Sequence, residues 1–75
     1  MSKLPQVNGG RLINALKKKG WYVDRTSGSH AIMREEGRAG TMVVVPIHTK
    51  PLKPGTLDHI LKAAGLSGEE IRELL

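Results

Sequence analysis

The stretch Trp21-Tyr22-Val23-Asp24-Arg25-Thr26-Ser27-Gly28-Ser29-His30-Ala31-Ile32-Met33-Arg34 decides the fold. Trp21 to Thr26 is rich in aromatic and β-branched residues, which fit a pleated surface, and reads as a strand. Ser27, Gly28 and Ser29 supply a tight turn, and His30 to Arg34 reads as the returning partner. Glu35 to Gly40 is charged and broken by glycines, which suits a polar hairpin loop. Thr41 to Val45 is then a third strand, and its continuous apolar run predicts that it is largely buried. Pro46 ends it. With Pro51 and Pro54 close behind, Ile47 to Pro54 is too proline-rich for regular structure.

Helical spacing appears on both sides of this β-region. Upstream, Met1 to Val7 reads as a short lead-in strap and Asn8 as an N-cap. Leu12, Ile13 and Leu16 follow at helical intervals, with Ala15 beside them. Gly9 and Gly10 weaken the first turn of this helix. Lys17, Lys18 and Lys19 close it and suit the negative end of its dipole, and Gly20 is its stop. Downstream, Gly55 or Thr56 opens a second helix. Leu57, Ile60, Leu61 and Ala64 fall on one face of it, and Gly65 ends it. Ser67 with Glu70 makes a capping box for a short last helix, whose Ile71, Leu74 and Leu75 pack back on the core. The expected fold is α+β, a single domain over residues 1–75. It has a three-stranded antiparallel sheet with both main helices on one face through Leu12, Ile13, Leu16, Leu57, Ile60 and Leu61, and a short extra C-terminal helix. The other sheet face is left for a ligand.

The chain has 75 residues, and a domain of this size has a thin core and no room for a separate cofactor domain. Its 12 Lys and Arg stand against 7 Asp and Glu, for a net charge of +5. Such a balance favours polyanions, with nucleic acid first and an anionic membrane or acidic protein next. There are no cysteines, which excludes a disulfide framework, a thiol nucleophile and a thiolate metal site. The N-terminus lacks a signal-peptide pattern, and the longest apolar run, Met42 to Val45, is far too short to span a bilayer. A soluble, cytoplasmic protein without membrane partners is expected.

Proton transfer at neutral pH points to the three histidines. His30 follows Gly28 and Ser29 at a strand start, where a turn gives an imidazole an exposed, fixed position and lets backbone approach a ligand. His48 lies in the stiff segment between Pro46 and Pro51, as a second site residue or a structural hydrogen-bonding group. His59 lies off the apolar face of the second helix. The histidines have no ligand-like spacing, and Asp24, Glu35, Glu36 and Asp58 form no obvious cluster, so neither a metal site nor a cofactor is expected. No glycine-rich loop ends in Lys-Ser or Lys-Thr, which leaves a nucleoside-triphosphate site unsupported.

Several of these motifs resemble one family together. Thr26-Ser27-Gly28-Ser29-His30 before a strand is similar to the Gly-Ser-His signature of HicA (YcfA-like) toxins. Val45-Pro46-Ile47-His48, Leu52-Lys53-Pro54-Gly55-Thr56-Leu57 and Ile60-Leu61-Lys62-Ala63-Ala64-Gly65-Leu66-Ser67 resemble the second half of that family. Lys19-Gly20-Trp21 matches its usual glycine and large aromatic. The resemblance runs in register from Asn8 to Ser67. It implies a fold like a double-stranded-RNA-binding domain, an endoribonuclease that cleaves messenger RNA, and a HicB-type antitoxin partner that covers the active site. It places the catalytic histidine on His30 and a second family histidine on His48. Ala31 and Met33 depart from the bulkier or aromatic residues common in the family, and Gly9 and Gly10 replace better helix formers.

The implied chemistry is physically sensible. RNA carries its own nucleophile, the 2′-hydroxyl, so its cleavage needs a base for that proton and an acid for the leaving oxygen, and neither step demands a metal. An imidazole can serve either role at neutral pH. Lys17, Lys18, Lys19, Arg25, Ser29, Arg34, Lys50 and Lys53 are the candidates to hold the RNA backbone. The partner of His30 is left open among His48, a lysine and water. Two rival readings use the same charge: a non-catalytic module that binds RNA by shape, and a domain whose basic face pairs with an acidic protein.

Overall fold

The hairpin forms where the sequence places it. In the computed structural model, which describes residues 4–75, β1 (Trp21–Ser27) and β2 (His30–Glu35) pair antiparallel around a Gly28-Ser29 turn. Gly28 has φ 59°, and no non-glycine residue among those described has positive φ. A left-handed first residue followed by an ordinary one is the pattern of a type II′ turn, whose twist matches that of the flanking strands. The register runs Ser27↔His30, Thr26↔Ala31, Arg25↔Ile32 and then Val23↔Met33, so Asp24 is an extra residue in β1, a β-bulge. β3 (Met42–Pro46) pairs antiparallel on the other side of β2, with Val45 opposite Ala31 and Val43 opposite Met33. The sheet order is β1-β2-β3.

Alternation then sorts the side chains. Trp21, Ala31, Met33, Val43 and Val45 are buried, while Tyr22, Met42 and Val44 are exposed. This corrects the expectation that β3 is largely buried. Helices cover one side of the sheet, so every second residue of the apolar run faces out despite its composition. As an edge strand, β3 can also hold Pro46, because one side of it has no ladder to satisfy.

Three helices supply the covering layer: α1 (Gly9–Lys17), α2 (Pro54–Ala64) and α3 (Gly68–Leu74). Asn8 caps α1, its side chain accepting from the Arg11 N–H at 2.9 Å. Helix α1 ends at Lys17, earlier than expected, so Lys18 and Lys19 sit in a turn, and Gly20 (φ 88°) redirects the chain into β1. Helix α2 starts one residue before the expected Gly55, because Pro54 occupies the first turn, where its missing N–H costs nothing. Gly65 caps it in the left-handed region at φ 73°. In α3 both halves of the capping box form, each at 3.1 Å, between Ser67 and Glu70.

The buried faces meet in one cluster. Leu12 and Leu16 of α1, Leu57, Ile60 and Leu61 of α2 and Ile71 of α3 pack with Trp21, Met33, Val43 and Val45 of the sheet. Ile13, Leu74 and Leu75 are partly buried against it. Each fully buried leucine or valine contributes about 1.5–3 kcal/mol, so this cluster is what pins α1 and α2 to one side and leaves the outer face open. Val7 joins the cluster, which anchors the described part of the lead-in strap; its Met1 to Lys3 portion lies outside the described residues. No helix among the described residues is long and apolar enough to cross a membrane.

Candidate active site

Register fixes the layout of the outer sheet face. Reading across β1, β2 and β3, one row is Ser27, His30 and Pro46, the next is Arg25, Ile32 and Val44, and the last is Tyr22, Arg34 and Met42. His30 therefore stands at one end of β2 and Arg34 at the other, with Ile32 between them. Because the bulge takes up Asp24, Arg25 comes to this face, and Asp24 pairs with both Arg34 (3.3 Å) and Arg25 (3.6 Å).

At the His30 end the sheet borders a cleft of about 580 Å³, lined by His30, Pro46, His48, Lys50, Lys53 and Thr56 among others. The cleft exists because the proline-rich segment after β3 is tied down at two points. The Ile47 N–H donates to the carbonyl of Ser29 at 2.6 Å, in the turn that presents His30, and the Leu52 N–H donates to Val7 at 2.8 Å. Underneath, Gly9 lets α1 approach so closely that a Cβ there would overlap the carbonyl of Pro46. Residues 47–53 are thus held between the hairpin turn, the strap and the start of α1. That is why two histidines 18 positions apart in sequence (48 − 30) share a cleft. Both are exposed.

The basic candidates divide into three groups. Lys50 and Lys53 line the cleft with the two histidines. Arg25 and Arg34 lie further along the outer face, both engaged with Asp24. Lys17, Lys18 and Lys19 belong to the helical layer, away from His30. Lys18 Nζ donates to the carbonyl of Leu74 at 2.8 Å, and Lys19 pairs with Glu70 at 4.0 Å, so these two tie α1 to α3. Lys17 is exposed in the last turn of α1. Ser29 is exposed in the hairpin turn, with its carbonyl taken by Ile47. His59 is exposed on α2, outside the cleft.

Chemically, the cleft offers two imidazoles and two ammonium groups around an opening near the N-terminal end of α2. Imidazoles exchange protons at neutral pH, and ammonium groups hold phosphate. Among the described residues no group of three His, Cys, Asp or Glu side chains is placed to hold a metal ion. Sequence reading did not single out Thr49 and Thr56, which contribute hydroxyls to the cleft, or Tyr22 and Arg38 at the far end of the sheet. Tyr22 did carry a signal. Of two adjacent aromatics on one strand, one must face out, and here Trp21 is 3% exposed and Tyr22 44%.

A family model described as the HicA toxin of bacterial toxin–antitoxin systems matches residues 9–66. That span includes the hairpin, both cleft histidines and both main helices. No curated protein matches the chain.

Proposed function

The chain belongs to the HicA toxin family of bacterial toxin–antitoxin systems, and from that premise we propose that it is a metal-independent endoribonuclease that cleaves messenger RNA in the His30–His48 cleft. The observation that carries this reading is the convergence of His30, His48, Lys50 and Lys53 on one opening. In-line cleavage of RNA needs two proton transfers at opposite sides of one phosphorus, and two imidazoles in a common cleft can perform both. One imidazole takes the proton of the 2′-hydroxyl as its oxygen bonds to phosphorus. The other gives a proton to the 5′-oxygen as the P–O bond breaks. The products are a 2′,3′-cyclic phosphate and a free 5′-hydroxyl. His30 is one of the pair and His48 its partner. Lys50 and Lys53 hold the phosphate and offset the charge that builds on it in the transition state.

Membership in a toxin–antitoxin family implies an antitoxin, and a HicB-type protein is the partner proposed here. It inhibits by occupying the outer face around His30, with carboxylates placed against the same cations that hold RNA.

The test is direct. Purified protein incubated with messenger RNA in excess EDTA should give fragments ending in a 2′,3′-cyclic phosphate or its hydrolysis product. Binding without fragments would instead identify a non-catalytic RNA-binding module. A strict need for added Mg²⁺, or fragments bearing 5′-phosphates, would overturn the mechanism.

A further inference from the structure

We propose that the outer sheet face carries a nucleobase subsite at the end opposite His30, with Tyr22 as its stacking platform, and that it takes an unpaired base of single-stranded RNA. The inference rests on the ribonuclease reading for its biological meaning but not for its test.

The first observation is Tyr22 itself. A large aromatic that is 44% exposed beside a fully formed core is spending its apolar area on the surface. Its cross-strand neighbour is Arg34, with Met42 beyond, so ring, guanidinium and thioether form one row across three strands. The second is the cleft there, about 330 Å³, which Tyr22, Arg34 and Arg38 line together with Glu35 and the β2–β3 loop. That loop carries Gly37 at φ 78° and Gly40 at φ 86°, and a Cβ at either would meet nothing within 4 Å, so the rim is low and open. The cleft is ample for one base.

The third observation is the chemistry of the lining. An aromatic ring with neighbouring guanidinium planes is the combination that stacks splayed bases in single-stranded recognition. Arg34 meets Asp24 through Nε rather than through its terminal amino groups, and Arg38 pairs with Glu35 at 3.2 Å. The hydrogen bond to Asp24 orients the guanidinium of Arg34, and neither guanidinium is buried. Duplex RNA cannot use such a site, because its base faces are hidden in the stack.

Geometry connects this subsite to the scissile bond. His30 and Arg34 lie on the same side of β2, four residues apart, which is about 14 Å at the usual strand rise. A strand crossing the sheet from the cleft to Tyr22 covers that distance in a few nucleotides. On the way it passes Ile32 and Val44, which offer apolar contact to ribose or base, with Arg25 at the side. Tyr22 then selects where His30 cuts, by requiring an unpaired base a few nucleotides away.

The experiment uses a mixed-sequence single-stranded oligonucleotide with 2′-O-methyl riboses, which cannot cyclise, so binding is read without cleavage. Tyr22→Ala and Tyr22→Leu should each weaken binding about 5- to 150-fold, the range for losing one stacked base. Tyr22→Phe should restore it, because the ring is what matters. The same oligonucleotide in duplex form should bind weakly and indifferently to all three. Tyr22→Leu keeps an apolar side chain on the strand, so loss of folding does not imitate loss of the site. Binding by folded Tyr22→Leu within two-fold of the unaltered protein, or a duplex that binds as tightly as the single strand, overturns the subsite. If Tyr22-dependent binding is found but ordinary RNA is never cut, the ribonuclease reading fails and the subsite stands. If RNA is cut but binding ignores Tyr22, the subsite alone fails.

Discussion

Two adjacent glycines at the start of α1 should respond oppositely to the same substitution. At Gly10 the nearest atom to an added Cβ is the Asn8 side-chain oxygen at 3.6 Å, an ordinary van der Waals contact, and the residue is exposed. Alanine there restricts the unfolded chain and improves helix propensity, for a gain of about 0.4–1 kcal/mol. At Gly9 the Cβ would overlap the Pro46 carbonyl and press on Ile47 Cα at 3.3 Å. These are backbone atoms, tied by the Ile47–Ser29 hydrogen bond, and cannot swing aside as a flexible side chain can. Forcing α1 away from the end of β3 should cost about 1–3 kcal/mol or more, which outweighs the propensity gain. In a domain this small each kcal/mol moves the melting temperature by roughly 4–8 °C. Thermal unfolding followed by circular dichroism should therefore show Gly10→Ala a few degrees above the unaltered protein and Gly9→Ala several degrees below it. Because Gly9 supports the strand end that leads into His48, Gly9→Ala should also lose cleavage activity at temperatures where it is still folded. Equal shifts for the two variants would refute the close approach of α1 to Pro46.

Other expectations follow from the cleft. His30→Ala should lower the cleavage rate about 10²–10⁴-fold while leaving fold and RNA binding largely intact, since one proton-transfer group is lost; single-turnover kinetics reads this, and a loss of only a few-fold would remove His30 from catalysis. His48→Ala should cause a loss of the same order, and the double variant should be little worse than either single one, because the two act on one transition state. Lys50→Ala and Lys53→Ala should weaken RNA binding regardless of sequence, each lowering the slope of log affinity against log salt by about 0.7; an unchanged slope would place the phosphates elsewhere.

What the sequence made legible was local. The Asn8 cap, the Ser67–Glu70 box and the Leu57-Ile60-Leu61-Ala64 face each depend on residues a few positions apart and each forms as read, and the turn read at Ser27 to Ser29 forms with Ser27 already in the strand. His30 stood out for the same reason. What stayed hidden was set by contacts across the chain. Met42 to Val45 is apolar throughout, and only the one-sided helix layer decides that Val44 faces out. The bulge at Asp24 shifts β1 by one residue and brings Arg25 beside Ile32, which no period-two pattern announces. Lys17, Lys18 and Lys19 looked alike in sequence, yet Lys18 and Lys19 meet partners of α3 more than 50 positions away. The union of His30 with His48 depends on a hydrogen bond from Ile47 to the hairpin turn and on the missing side chain of Gly9.

Asp24 sets a condition on whatever binds the outer face. Its carboxylate holds both Arg25 and Arg34, so an incoming phosphate or partner carboxylate must take these cations from a resident anion. The resident pairs are partly exposed, and ion pairs of this kind are worth about 0–1 kcal/mol each. They are therefore easily displaced, yet while intact they lower the positive field of the free protein. Asp24→Asn removes the competing charge and keeps a side chain of the same shape at the bulge. It should strengthen binding of single-stranded RNA, and of an acidic antitoxin, by a few-fold in each case. The gain should appear mainly in the association rate and should shrink as salt is raised. Arg25→Glu with Arg34→Glu should do the reverse for both ligands. The measurement is association kinetics at low and moderate salt for each variant with each ligand. If Asp24→Asn left both association rates unchanged in a folded protein, the cations of this face would not be where RNA and antitoxin compete, and occlusion of the sheet as the route of inhibition would have to be given up.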